Sequence, residues 1–417
     1  MEMSVIIHPV SFIRALSLAL ELTSTGLSQH HCRTAIIANK IGRHIGLPDS
    51  DQQTLTYAAL LHDLGAAANW EEKHDLTHFA AGPNIHLHAE KGYELLNGSP
   101  QLGVLANPIR YHHYRFDGNN PKPLAGEDIP LLARIIFLAD RIEILIREDM
   151  HIFDLREGIL KIIEDESNRC FDPLLVKAFH ELSVSESFWL DLVNTSFHNR
   201  FFQTLGFYGK MSFDADDMLH IAEIFAAVVD KTSCYTAVHS RITAEVSAYL
   251  AHLRGYSEEE VKLIRLAGLL HDLGKLAVPN SILDKPGPLT EKEFALVKQH
   301  PYYTLRILEQ IDKFGLITYW ASQHHEKLDC SGYPFALTAG SIRLGSRIIS
   351  VADIFSALLE TRPYRAGMTL EQVSNVMTGM VHDNKLDAGL VNDLLAHADE
   401  AYALIWPLLS SQGKPNP

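Results

Sequence analysis

Apolar residues recur at helical spacing through almost the whole chain. Ile242, Val246, Tyr249 and Leu250 mark one such face, and Leu263, Leu266, Ala267 and Leu270 another. This is the period of a helix that buries one side. Period-two alternation, which marks half-buried strands, is scarce. Helix starts are written at Ser257 with Glu260 and at Thr290 with Glu293. In each pair a hydroxyl and a carboxylate three residues on satisfy the free amides of a first turn. The predicted fold class is all-α. The opening stretch, MEMSVIIHPVSFIRALSLALELTS, reads as an amphipathic helix whose apolar rhythm is broken by Arg14 and Glu21. Phe188, Trp189, Leu192 and Val193 mark a further helical segment. Pro279, Pro286, Gly287 and Pro288 place one loop, and Gly332 with Pro334 another.

Laid over this pattern is a ladder of histidines and aspartates, written twice. The second copy reads His239, His271-Asp272 followed by Lys275, His300, His324-His325 and Asp353. The first reads His31, His62-Asp63, His88, His112-His113 and Asp140, at an offset that drifts only from 208 to 213 residues. A duplicated domain explains this register, and 417 residues suffice for two cores. Between the copies, Ser183 to Asp217 loses the repeat and contains Gly206, Gly209 and the acidic Asp214, Asp216 and Asp217. The boundary is expected near residue 208, with one copy plus a helical linker over 1–207 and the other over 208–417.

Composition narrows the partners. With 36 Lys+Arg against 51 Asp+Glu the formal charge is −15, which repels polyanions and argues against binding a nucleic-acid polymer or an anionic membrane surface. A small anion held by local cations remains compatible. No apolar run approaches the roughly 18 residues of a membrane span. The first residues show neither a basic n-region nor a small-residue cleavage site, so a soluble cytoplasmic protein is expected. Cys32, Cys170, Cys234 and Cys330 form no CxxC pair, so reduced thiols are expected rather than a disulfide or zinc-thiolate site.

Imidazoles and carboxylates without thiolate suit iron or manganese. A single histidine is more often a satisfied core residue than a ligand. Adjacent pairs in register with a second copy shift the balance for the set as a whole. Five histidines and two aspartates exceed the six positions of one octahedral ion, so the count points to two transition-metal ions. Asp272, beside His271 near a helix end, is the expected bridge. Two ions about 3.5–4 Å apart bind a phosphodiester, acidify a water and steady the leaving oxygen, which predicts metal-assisted phosphoester hydrolysis. Lys275 is expected at the same mouth, neutralising a phosphate oxygen.

These residues resemble the HD superfamily of metal-dependent phosphohydrolases, and residues 230 to 395 resemble its HD-GYP branch. The resemblance rests on His239-Ser240-Arg241, His271-Asp272-Leu273-Gly274-Lys275, the segment from His324-His325-Glu326 to Gly332-Tyr333-Pro334, Ala352-Asp353 and Arg362-Pro363-Tyr364-Arg365. It implies a bacterial phosphodiesterase that opens a cyclic dinucleotide to its linear form, with a second cut to mononucleotides within the family's range. Cyclic di-GMP and 3',3'-cyclic GMP-AMP both fit. By the resemblance the metal ligands are His239, His271, Asp272, His300, His324, His325 and Asp353. Lys275, Arg362, Arg365 and Tyr333 contact substrate. Three positions depart from the family pattern. Tyr235 replaces a third-metal glutamate, which favours two ions. Ser356 replaces an aspartate that is not a ligand. Cys330 replaces a glycine; it tolerates positive φ poorly, so a loop of different conformation is one reading, and a harmless small side chain is the favoured one.

The first copy retains seven candidate ligands but not the cations. Ala66 stands for Lys275, Tyr114 for Glu326, Asn119-Asn120-Pro121 for Gly332-Tyr333-Pro334, and Asp149 for Arg362. It is read as regulatory or structural, packing against the active copy or against a second chain in a homodimer. The rival reading of this copy is an HD hydrolase of smaller phosphate esters; the rival to the phosphodiesterase reading of the protein is a non-catalytic module that senses the nucleotide or docks a partner.

Overall fold

Helices follow one another in the same order in both halves of the chain. The computed structural model describes residues 6–23, 26–27, 29–67, 85–205, 212–233, 238–361 and 366–410. In the first half, Pro9–Leu20, His30–His44, Asp49–Leu61, a 3-10 turn Leu64–Ala66, Ile85–Leu96, Gly103–Arg110 and Leu131–Ile144 succeed each other. In the second, the succession is Ala215–Asp230, His239–Leu253, Glu258–Leu270, a 3-10 turn Leu273–Ala277, His300–Leu308, Gly315–Ser322 and Leu344–Leu359, with the short helices Asn280–Leu283 and Glu291–Val297 before His300. The duplication read from the ladder is thus a duplication of helices. Among the described residues the only strands are the two-residue Leu22–Thr23 and Gly26–Leu27, and the fold is all-α.

Two compact units result. One joins His8–Glu21 to Leu27–Met211, and the other joins Ser212–Pro417 to Met1–Ile7 and Leu22–Gly26. Phe188, Trp189 and Leu192 are buried within the first unit, and Trp189 Nε1 donates to Ser183 O at 2.9 Å. The helix Glu186–Val193 is therefore part of a core, where a linker was expected. The opening helix also departs from expectation. Ten of the twelve residues of Pro9–Leu20 are buried, so it is a core helix on all sides.

In the second unit the capping boxes appear as read. Ser257 and Thr290 each accept from the amide three residues on, and the glutamates there accept in return. The helix Glu258–Leu270 ends just before His271, and the following turn passes close to the start of His300–Leu308. A side chain at Gly274 would collide with the backbone of His300, so only glycine lets these two segments meet. Gly65 meets His88 in the same way in the first unit. No helix among the described residues is long and apolar enough to cross a membrane.

Candidate metal centre

Helix ends aim the second ladder at one point. His239 and His300 are the first residues of their helices, His271 caps the end of Glu258–Leu270, and His324-His325 follow Gly315–Ser322. Asp353 projects from within Leu344–Leu359. Carbonyls near a helix terminus lack intrahelical partners. His271 Nδ1, His300 Nδ1 and His324 Nδ1 each donate to the carbonyl three residues back, at 2.7 Å. That bond fixes the tautomer and turns Nε2 inward, the orientation a metal ligand needs.

Asp272 lies at the middle of the cluster. Its Oδ2 is 3.2 Å from His271 Nε2 and 3.7 Å from His239 Nε2, while its Oδ1 is 3.3 Å from His300 Nε2 and 4.0 Å from His324 Nε2. Asp353 places Oδ1 at 3.1 Å from His239 Nε2 and Oδ2 at 4.0 Å from His325 Nδ1. The seven predicted ligands are thus brought together, and one carboxylate faces two groups of imidazoles. His271 Nε2 and Asp272 Oδ1 are buried and make no hydrogen bond. Such a donor set fits divalent cations.

Burial keeps most of these imidazoles neutral and so able to ligate. It depresses His300 to about 3 and His325 to about 4, and it holds His324 well below the usual range. For Asp272 burial acts upward, but His271 and Lys275 outweigh it and the carboxyl stays well below the usual range. His239 is the exception. Burial pulls its pKa down, yet Glu360 and Asp353 prevail and lift it to about 10. Glu360 is fully buried and accepts from His239 Nδ1 at 2.9 Å.

Lys275, in the turn after Asp272, donates Nζ to Asp272 Oδ2. Tyr333 lies over His325, with ring centroids 4.8 Å apart, and its amide donates to His325 O at 3.2 Å. Burial raises the Tyr333 phenol, which stays protonated. Glu326 is a clamp: its two buried carboxylate oxygens accept from Phe335 N at 2.8 Å and Leu337 N at 2.9 Å. Cys330 adopts φ +65°, so the left-handed turn is kept, as the reading of a harmless small side chain has it. The backbone cost of a non-glycine residue there is about 1–2 kcal/mol. Arg362, Arg365 and Tyr235 lie outside the described residues.

In the first unit His31, His62, Asp63, His88, His112, His113 and Asp140 also converge, joined by His30, which the ladder passed over. His30 begins its helix as His239 does, and its Nδ1 likewise donates to a carboxylate, that of Glu143. Its offset to His239 is 209 residues, the same as from His62-Asp63 to His271-Asp272. The counterpart of His239 is therefore His30, and His31 stands in register with Ser240. The signal was present in the exact constancy of that offset, one residue from the choice made.

Tandem helical units, each gathering histidines and aspartates around a central His-Asp dipeptide, define a two-domain chain of HD type. HD-domain family models match residues 27–145 and 223–390. The chain is 30% identical over 401 residues to a Vibrio cholerae 3'3'-cGAMP-specific phosphodiesterase, covering 93% of this chain and 91% of that protein. It is 42% identical over 132 residues to a cyclic di-GMP phosphodiesterase response regulator of Xanthomonas campestris, covering 31% of this chain and 34% of that one. It also resembles the crystal structure of a cyclic GMP-AMP-specific phosphodiesterase of V. cholerae, with a TM-score of 0.65 at 26% identity, over 95% of this chain and 98% of the other. The chain belongs to the HD-GYP phosphodiesterases of the HD superfamily.

Proposed function

We propose that the C-terminal unit hydrolyses a 3',5'-cyclic dinucleotide to its linear form, with 3',3'-cyclic GMP-AMP or cyclic di-GMP as substrate. The observation that carries this reading is the position of Asp272, one oxygen toward each group of imidazoles, with the Lys275 ammonium beside it. His239, His271, Asp272 and Asp353 would hold one ion, and Asp272, His300, His324 and His325 a second. Nitrogen and oxygen donors without thiolate favour iron or manganese. When bound, two such ions supply an acidified water and offset charge on the scissile phosphate.

The protein's own side chains do the rest. Lys275, beside Asp272, would neutralise a phosphate oxygen of the substrate. Arg362 and Arg365 are proposed to hold the second phosphate, and Tyr333, its ring tilted 33° over His325, to bound the nucleotide beside the cluster. Relatives acting on either purine combination support the substrate class. A relative matched along 91% of its length is 3'3'-cGAMP-specific, so that substrate is placed first.

The N-terminal unit is proposed to be regulatory or structural. Ala66 supplies no cation where Lys275 does, and Asp149 would repel a phosphate. Chromatography of products from manganese- or iron-loaded full-length chain, offered each cyclic dinucleotide in turn, tests the proposal. Linear dinucleotide is expected from at least one substrate. Tight binding without turnover of any would mark a sensor instead.

A further inference from the structure

In the N-terminal unit three imidazole nitrogens surround one carboxylate oxygen. Asp63 Oδ2 lies 3.6 Å from His30 Nε2, 3.6 Å from His31 Nε2 and 3.4 Å from His62 Nε2, and the His30 and His62 nitrogens are 3.2 Å apart. A tetrahedron with metal bonds of about 2.1 Å has edges of roughly 3.4 Å. Four of the six edges are thus close to that length, and all four ligand atoms lie within 4.8 Å of one another, as ligands gathered around one small cation would.

His31 makes this group unlike its C-terminal counterpart. Ser240 stands in its register, and its hydroxyl turns away to Asp230 at 2.7 Å. In the N-terminal unit Glu21 takes the register of Asp230 and accepts the backbone N–H of His31. Glu21 Oε1 is also 3.8 Å from His31 Nδ1, and Ser17 Oγ is 3.4 Å from the same nitrogen. Acceptors on Nδ1 leave Nε2 directed at Asp63, the arrangement that supports a ligating histidine.

The side of the cluster that is open in the C-terminal unit is buried here, while His30 and Asp63, at 21% and 14%, are more exposed than His239 and Asp272, at 2% and 3%. The His113 side chain is 1% exposed against 28% for His325, and Asp140 is 2% exposed against 10% for Asp353. Arg141 Nη2 donates to Asp140 Oδ2 at 2.7 Å, so a guanidinium already covers that carboxylate. Asp140 Oδ1 stands at the edge of the group, 3.4 Å from His30 Nε2 and 3.8 Å from His62 Nε2.

We propose that His30, His31, His62 and Asp63 hold a single divalent cation in a four-coordinate site, filled by protein ligands, that is structural and not hydrolytic. Zinc(II), which accepts tetrahedral imidazole and carboxylate ligands readily, is the ion it matches. The two halves of the chain then differ in the class of metal site as well as in their phosphate-binding cations.

The test uses the full-length chain carrying Asp272→Ala to disable the C-terminal centre, stripped of metal and reloaded with cobalt(II). The strong visible absorption of four-coordinate cobalt is expected. Adding His31→Ser, the residue of the other copy, should remove that component and weaken cobalt binding by about 100-fold. Adding His31→Asp instead, which returns an oxygen ligand, should restore most of the binding, with circular dichroism reporting the fold of each variant. The proposal is overturned if the Asp272→Ala chain shows only the weak spectrum of six-coordinate cobalt, or if band and affinity survive in both His31 variants.

Discussion

Lys275 and Glu360 touch neighbouring members of the cluster and do different things there. Lys275 pairs with Asp272 on the partly exposed side, while Glu360 grips His239 from the buried side. Removing the ammonium takes away charge that favours the developing phosphate oxyanion. Lys275→Ala is expected to lower kcat by about 10²–10³-fold while the bound metal content stays at the wild-type level. Steady-state kinetics alongside metal analysis checks this, and lost metal with unchanged turnover per ion would contradict it. Glu360→Gln keeps the shape but weakens the hold on His239 Nδ1. It should reduce metal affinity by about 10–100-fold, read by competition with a chelator. The ligands were legible in the sequence because they recur in register. Glu360 was not, because its partner His239 lies 121 residues away and no local pattern links them. Glu326 was visible as part of the motif, but its work as a loop clamp is apparent only from Phe335 and Leu337.

At the scale of elements, Asp230 joins two helices. It ends Ala215–Asp230, and its Oδ1 accepts from the amide of Ser240 at 3.2 Å and from its hydroxyl at 2.7 Å. Burial pushes its pKa up to about 6 from 3.8, against the pull of the Ser240 bonds. A folded-state pKa above the unfolded value means the folded chain binds more protons in this window. The stability from this group is therefore full below 3.8 and is lost as pH rises toward 6. Asp230→Asn removes that dependence. Its stability relative to wild type should improve by on the order of 2–3 kcal/mol between about pH 4 and about pH 7. Denaturant unfolding of both proteins at each pH measures the difference, and a gap that does not move with pH would refute the account. Helix existence and both capping boxes were legible because they depend on residues close in sequence. The burial of Pro9–Leu20 on all sides was not, because Arg14 and Glu21 imply a wet face that only tertiary packing cancels. The same limit turned Glu186–Val193 from expected linker into core.

For the whole molecule, the duplication has left two sites with the same skeleton and different equipment. Both place a His-Asp dipeptide at the end of the third helix of the repeat, followed by a glycine that admits the next ligand helix. Only the C-terminal copy adds Lys275, Tyr333 and a partly exposed His325. The N-terminal copy adds His31, covers Asp140 with Arg141 and buries His113. The central claim is that chemistry belongs to the C-terminal centre. The most direct measurement is turnover of 3',3'-cyclic GMP-AMP and cyclic di-GMP by metal-loaded full-length chains carrying Asp272→Ala or Asp63→Ala, each confirmed folded by circular dichroism. Asp272→Ala is expected to abolish formation of linear dinucleotide, and Asp63→Ala to leave it within about tenfold of wild type, a change of about 1.4 kcal/mol or less in the barrier. Wild-type turnover in Asp272→Ala, or its loss in Asp63→Ala alone, would contradict the assignment.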